Sequence, residues 1–247
     1  EQQFKITPEQ LEAAITPRTR LFVHNTPSNP TSVMYTQDEL VALGEVLRRF
    51  PDVVIASDDI YEHILLGDIP FSNLLMANPD LYERTILLNG VSKGYSMTGW
   101  RIGYAGGPAP VIQAMKKVQS QSTSNPTSIA QVAAEAALNG DQHCVEVMNR
   151  AFRERNQFVT ERLNTIDGVH VLASQGAFYS FANVEKVIER LPGITNDTEL
   201  ASMLLNQAEV AVVPGIAFGM ENYIRLSFAT SMDNLQVAME RISKALL

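Results

Sequence analysis

Apolar and polar positions along the first half of this chain follow two alternating periods. Residues 20–24, with Leu21, Phe22 and Val23 at their centre, read as a buried strand that ends in the turn-rich stretch 25–32. A second run, 53–56, ends at Asp58, and two more lie at 86–88 and 102–105. Between the first two, residues 37–49 space their leucines and valines as one face of an amphipathic helix. An earlier helix is announced by Thr7-Pro8-Glu9-Gln10, in which a capping residue precedes a proline at the first helical position and Gln10 lies three residues after Thr7. Strands separated by crossover helices predict a largely parallel sheet covered on both faces.

The pattern changes after Gly106-Gly107-Pro108. Helical spacing at 111–119 is followed by a polar loop over 120–128, an alanine-rich stretch at 129–138 that reads as a core helix, and a long helix over 142–163. Short strands are expected at 169–172, 177–181, 210–213 and 223–228, with helices at 198–207 and 234–246. This second half predicts a smaller α+β domain. The resulting division is 1–128, a set of connecting helices at 129–165, and 166–247.

Composition narrows the function classes. The 247 residues carry a net charge of −8 spread along the chain, which argues against nucleic acid as a partner. No apolar run is long enough to span a membrane, and there is no signal-peptide pattern. Cys144 is the only cysteine, so no intrachain disulfide can form, and a cytoplasmic setting is expected. Cys144 falls in a helical pattern and reads as a packing residue. His24, His63, His143 and His170 have no metal-ligand spacing. The chain opens Glu1-Gln2-Gln3-Phe4 without an initiating methionine and enters a helix at once, which reads as the middle of a domain.

The chemistry gathers where the predicted strands end, the place where open α/β sheets bind ligands. Lys93 follows the apolar run 86–88 in the segment Ser92-Lys93-Gly94-Tyr95-Ser96-Met97-Thr98-Gly99-Trp100-Arg101-Ile102-Gly103. It offers an amine that can condense with a carbonyl, and Arg101 offers a guanidinium that can hold a phosphate. The two jobs together point to pyridoxal 5'-phosphate. Asp58, with Tyr61 three residues on, suits a nitrogen heterocycle bearing a hydroxyl: the carboxylate keeps the ring nitrogen protonated and the phenol meets the ring oxygen. A helix N-cap at Asp58 or Asp59 is an equal alternative for that segment alone. Asn25-Thr26-Pro27-Ser28-Asn29-Pro30-Thr31 is either a plain turn or a rigid loop that aims the Asn29 amide. Arg225 interrupts the apolar strand Tyr223-Ile224-Arg225-Leu226-Ser227-Phe228 and needs an anion, either a structural carboxylate or a substrate's. Phe178 and Tyr179 fit a pocket lining or a core strand equally, and Trp100 is expected to pack under the Arg101 turn.

These motifs, in this order, resemble the class I aminotransferases of PLP fold type I, and within them the bacterial-type aspartate aminotransferases. The match rests on residues 25–31, Asp58 with Tyr61, Ser92-Lys93 through Gly103, residues 119–131, Val213-Pro214-Gly215 and residues 223–227. The resemblance implies Lys93 as Schiff-base lysine and proton shuttle, Asp58 at the pyridine nitrogen, and Asn29 and Tyr61 at the ring hydroxyl. It implies Arg101 at the phosphate and Arg225, with Asn29, at the substrate α-carboxylate. It also implies an α/β architecture: a partial large cofactor-binding domain at 1–128 and a small C-terminal domain at 166–247. The expected reaction moves an amino group between an amino acid such as aspartate and a 2-oxo acid in a homodimer, with residues 120–125 near the neighbouring subunit's site. Two departures stand out. The family's upstream portion, with its phosphate-binding glycine loop, is absent, so the chain is expected to be N-terminally truncated, and whether it is active or inactive alone is left open. Gly90 stands where many members carry a Ser or Thr. Another fold type I activity (a β-lyase or cyclopropane-forming synthase) and a non-catalytic fragment of a regulator are the alternatives.

Overall fold

Helix α1 (Pro8–Ala14) begins with a complete capping box: the Thr7 side chain accepts from the Gln10 N–H, and the Gln10 side chain accepts from the Thr7 N–H. In this computed structural model, which describes residues 2–246, the same device starts α2 (Gln37–Arg48) through Thr36 and Glu39. Leu40, Leu43 and Leu47 of α2 share one face and are almost wholly buried. They pack with Leu11, Ile55, Leu74 and Leu81 into one apolar core. Each such leucine contributes about 1.5–3 kcal/mol by leaving water.

The sheet against that core holds β1 (Leu21–Asn25), β2 (Val54–Asp58), β3 (Thr85–Gly90) and β4 (Gly103–Gly106), in that order. β1 to β3 run parallel and β4 is antiparallel to β3. A one-turn helix, α3 (Leu74–Ala77), and a 3-10 segment, Pro79–Arg84, connect β2 to β3. Neither is legible from periodicity, because each is too short to show one. Leu21 and Val23 point to the opposite face of the sheet and are exposed, so the expected cover on both faces is not met there.

Three further helices follow: α4 (Ala109–Ser122), α5 (Ser128–Asn139) and α6 (His143–Asn164). The alanine-rich α5 is not the core helix its composition predicts. It buries Ala130 and Ala134 against Val91 and Ile102, while Ile129 and Val132 are 74% and 64% exposed. Cys144, expected to pack, is exposed.

The chain divides into two compact units. The first comprises residues 1–28 and 33–147, and the second comprises 29–32 and 148–247. In the second unit β5 (His170–Val171), β6 (Tyr179–Asn183), β7 (Val213–Pro214) and β8 (Tyr223–Ser227) form an antiparallel sheet in the order β5-β6-β8-β7. Helices α7 (Glu185–Arg190), α8 (Asp197–Ala208) and α9 (Met232–Ala245) complete it. Its core draws on Phe152, Phe181, Leu200, Leu204, Phe228 and Met239. The segment 29–32 belongs here because Ser32 is tied to it: its carbonyl accepts from Gln175 and Gly176, and its hydroxyl accepts from the Tyr179 N–H. Among the described residues no helix is long and apolar enough to cross a membrane.

Candidate active site

Four of the six residues singled out in the sequence lie in the first unit, at one end of its sheet. Asp58 closes β2 and pairs in register with Asn25 and Leu88. Lys93 lies three residues beyond the end of β3. Arg101 enters from the other direction, two residues before β4, whose first residue Gly103 pairs with Gly90. Parallel order in β2 and β3, and reversal in β4, thus bring their ends to the same edge.

Asp58 is half-buried, and no helix follows for it to cap. One oxygen accepts from the Ile60 N–H at 3.3 Å, and among the described residues no cation partners it. Burial pushes its pKa up from the ordinary carboxylate value, only partly offset by that hydrogen bond. A protonated ring nitrogen beside it would reverse this, which is the fit a pyridinium requires. Tyr61 is buried, and the Lys93 Nζ lies 6.0 Å from its ring centroid. Arg101 adopts a left-handed backbone (φ 56°, ψ 45°), and its Nη1 donates to the Thr98 carbonyl at 2.8 Å. A non-glycine residue held there stores roughly 1–2 kcal/mol of strain, a cost that clusters at ligand sites. Trp100 is not tucked under that turn; it is 45% exposed. Gly90 has a steric cause: a Cβ there would stand 2.7 Å from the Ile102 carbonyl oxygen, so β4 passes too close for a serine or threonine.

Asn29 and Arg225 lie in the second unit, and there the structure brings them together. Arg225 Nη1 donates to Asn29 Oδ1 at 2.7 Å. The guanidinium sits over Tyr179 at 4.4 Å and Phe218 at 5.0 Å. Its Nε is buried with no hydrogen-bond partner, and among the described residues no carboxylate forms an ion pair with the group. Two aromatic faces and one neutral amide hold a cation ready for an anion without supplying one. Tyr179, left open between pocket and core, does both jobs: it is buried and forms one wall of this cation site. Phe178 stacks on Phe152 at 5.6 Å.

Residue reasoning missed Phe218 and the group formed by Glu62, His63, Asn89 and Tyr95. Phe218 ends a 3-10 turn with no periodic signal. The others are ordinary polar residues in sequence and acquire meaning only as neighbours. Among the described residues no group of histidine, cysteine and acidic side chains could hold a metal ion.

The model of the aminotransferase class I and II family matches residues 1–242. The aspartate/prephenate aminotransferase of Nitrosomonas europaea is 62% identical over 251 residues, covering 100% of this chain and 63% of that protein. Its namesake from Cereibacter sphaeroides is 50% identical and covers 97% of this chain and 61% of its own length. Among solved structures, the aspartate aminotransferase of Rhizobium meliloti superposes with a TM-score of 0.94 at 46% identity, covering 98% of this chain and 62% of its own. The chain therefore spans a little over three fifths of the length of these relatives, and within that span it belongs to the class I and II aminotransferases, a pyridoxal phosphate-dependent family of fold type I.

Proposed function

We propose that this chain is the greater part of an aminotransferase that moves an amino group between a dicarboxylic amino acid, aspartate or a close relative, and a 2-oxo acid. The observation that carries the reading is the pairing of two chemistries. A lysine amine and a desolvated carboxylate lie at one sheet end, and an aromatic-walled arginine lacks an anion. The first unit is then a partial cofactor domain, and residues 166–247 a small domain that carries Arg225. A relative from Thermus thermophilus, 39% identical with a TM-score of 0.88, was solved with maleate, a dicarboxylate, which supports the substrate class.

Bound pyridoxal phosphate would supply an aldehyde for the amino group and a ring that takes up the electrons left when the substrate's Cα proton departs. The chain's residues do the rest. Lys93 Nζ takes the Cα proton and carries it, a role for which its amine must be neutral and within reach of that carbon. Asp58 stays ionised and keeps the ring nitrogen protonated. Tyr61 and Asn29 hold the ring hydroxyl, Arg101 takes the phosphate, and Arg225 grips the α-carboxylate through its two-pronged donor face.

The partner is a second copy of this chain. Helix α4 buries none of its 14 residues, and its Val118 is 72% exposed. A helix of that length is marginal alone, so its face calls for cover. The lone, exposed Cys144 fits a cytoplasmic setting, where thiols stay reduced.

The test is chemical. Incubating the 247-residue protein with pyridoxal phosphate and reducing with borohydride should add one label, recovered on the Lys93 peptide. Lys93→Ala should remove it. A label that persists in that variant, or none in the parent, would overturn the assignment. Release of a 2-oxo acid without ammonia would separate transamination from a lyase.

A further inference from the structure

Two tight turns face each other beside the sheet end, and each begins at a residue of the proposed site. In the first, the Ile64 N–H donates to the Tyr61 carbonyl at 2.8 Å, which makes Glu62 and His63 the central residues. In the second, the Ser96 N–H donates to the Lys93 carbonyl at 3.2 Å, with Gly94 and Tyr95 at the centre. The central residues of the two turns interlock. The His63 ring lies so close to Gly94 that a Cβ on residue 94 would stand 2.9 Å from its Cδ2. The His63 and Tyr95 rings meet edge to face at 5.4 Å.

Hydrogen bonds orient the clasp. Tyr95 donates its hydroxyl to Gln142 Oε1 at 2.8 Å, so its oxygen is left to accept. His63 Nε2 stands 3.4 Å from that oxygen and 3.4 Å from Glu62 Oε1, so a proton on Nε2 would face two acceptors. Glu62 Oε1 also accepts from Asn89 Nδ2 at 2.6 Å, and Asn89 Oδ1 accepts from the Gly90 N–H at 2.7 Å. Glu62 thereby ties the Tyr61 turn to the end of β3, and the His63 imidazole ties it to the Lys93 turn. Gly94 is glycine because that ring occupies the space a side chain would need.

We propose that His63 is a positioning residue: held by Glu62 and Tyr95 against Gly94, it locks the Lys93 turn to the Tyr61 turn and so sets where the Lys93 amine meets the carbonyl it condenses with. The proposal rests on the reading of Lys93 as the Schiff-base lysine. His63 itself touches neither cofactor nor substrate in this scheme. Its effect passes through the backbone of Gly94 and Tyr95, the two residues that follow Lys93.

The test compares the 247-residue protein with His63→Ala and His63→Gln, the latter keeping a donor near the Nε2 position. Without added ligand, amides of the Lys93 turn should exchange with deuterium about tenfold faster in H63A and return toward the parent rate in H63Q, while those of α8 and α9 stay unchanged. Borohydride-trapped labelling of Lys93 by pyridoxal phosphate should slow severalfold in H63A and recover in H63Q. Parent and variants are compared at equal protein and pyridoxal phosphate concentrations, with the Lys93 peptide as the readout. Faster exchange with unchanged Lys93 labelling would make His63 merely structural and overturn the proposal, as would parent-like values in both measurements. If the parent itself takes no label at Lys93, the reading of Lys93 as the Schiff-base lysine of this chain fails, and exchange alone then decides whether the clasp holds the turn. Should H63A lose its far-UV circular dichroism, Tyr95→Phe removes one acceptor from the clasp with little change in volume and must show the same two effects at smaller size.

Discussion

At the scale of single residues, the first unit holds two buried titratable groups that oppose each other. His24 is buried beside Phe22 and Tyr35, with neither ring nitrogen hydrogen-bonded, and burial pushes its pKa down from 6.5 to about 4. Its contribution to stability is fully present above pH 6.5 and is lost as pH falls toward 4, because the unfolded chain takes the proton first. Asp59 behaves in the opposite sense. Burial raises its pKa from 3.8 to about 6, despite hydrogen bonds from Ser57 and Asn73. Its contribution is present below pH 3.8 and is lost as pH rises through 6. Each effect is on the order of 3 kcal/mol over its window. His24→Phe, which also removes two unpaired nitrogens, should therefore make the protein relatively more stable at pH 4.5 than at pH 7. Asp59→Asn, which can still accept from Asn73, should shift the balance the other way. Urea midpoints at the two pH values, each variant against the parent, measure both shifts. Equal midpoint shifts at the two values would refute this account.

At the scale of elements, what decides whether a helix forms is how its ends and its face are served. Helix α2 has both: a reciprocal cap at Thr36 and Glu39, and leucines buried at 40, 43 and 47. The Lys5 ammonium also holds Glu39, at 2.7 Å. Thr36→Ala should cost about 1 kcal/mol, read as a lower urea midpoint with an unchanged slope. These features were legible beforehand, since capping residues and 3.6-residue spacing are local. The same reasoning misjudged α5, where alanine content stood in for burial and the exposed Ile129 and Val132 contradict it. It also passed over α3 and α7, which span 4 and 6 residues, too few for a period to register.

At the scale of the molecule, the apolar positions that remain exposed carry the information. Val118, Ile129 and Val132 lie on α4 and α5, and the first of these helices has no buried residue at all. Scattered exposed apolar residues are ordinary, but a helix without a buried face is not. We expect a dimer in sedimentation equilibrium, and we expect Val118→Asp combined with Ile129→Asp to weaken it at least about tenfold, the usual scale for charges placed in an apolar contact. A parent that sediments as a monomer would mean that a different cover is used.

Local pattern alone supplies the candidate groups and their order along the chain. Asp58 and Tyr61 follow the apolar run 53–56, Lys93 follows 86–88, and Arg101 precedes 102–105, a placement written in local pattern. Arg225 was legible for the same reason, as a charge in a strand that should have none. Which neighbours stand beside them follows from tertiary structure alone. Asn29 and Arg225 are 196 residues apart in sequence yet share a 2.7 Å hydrogen bond. His63 reaches Gly94 and Tyr95 across two turns separated by the whole of β3. Such pairings depend on strand register and on how closely two backbones approach, quantities that no local period encodes.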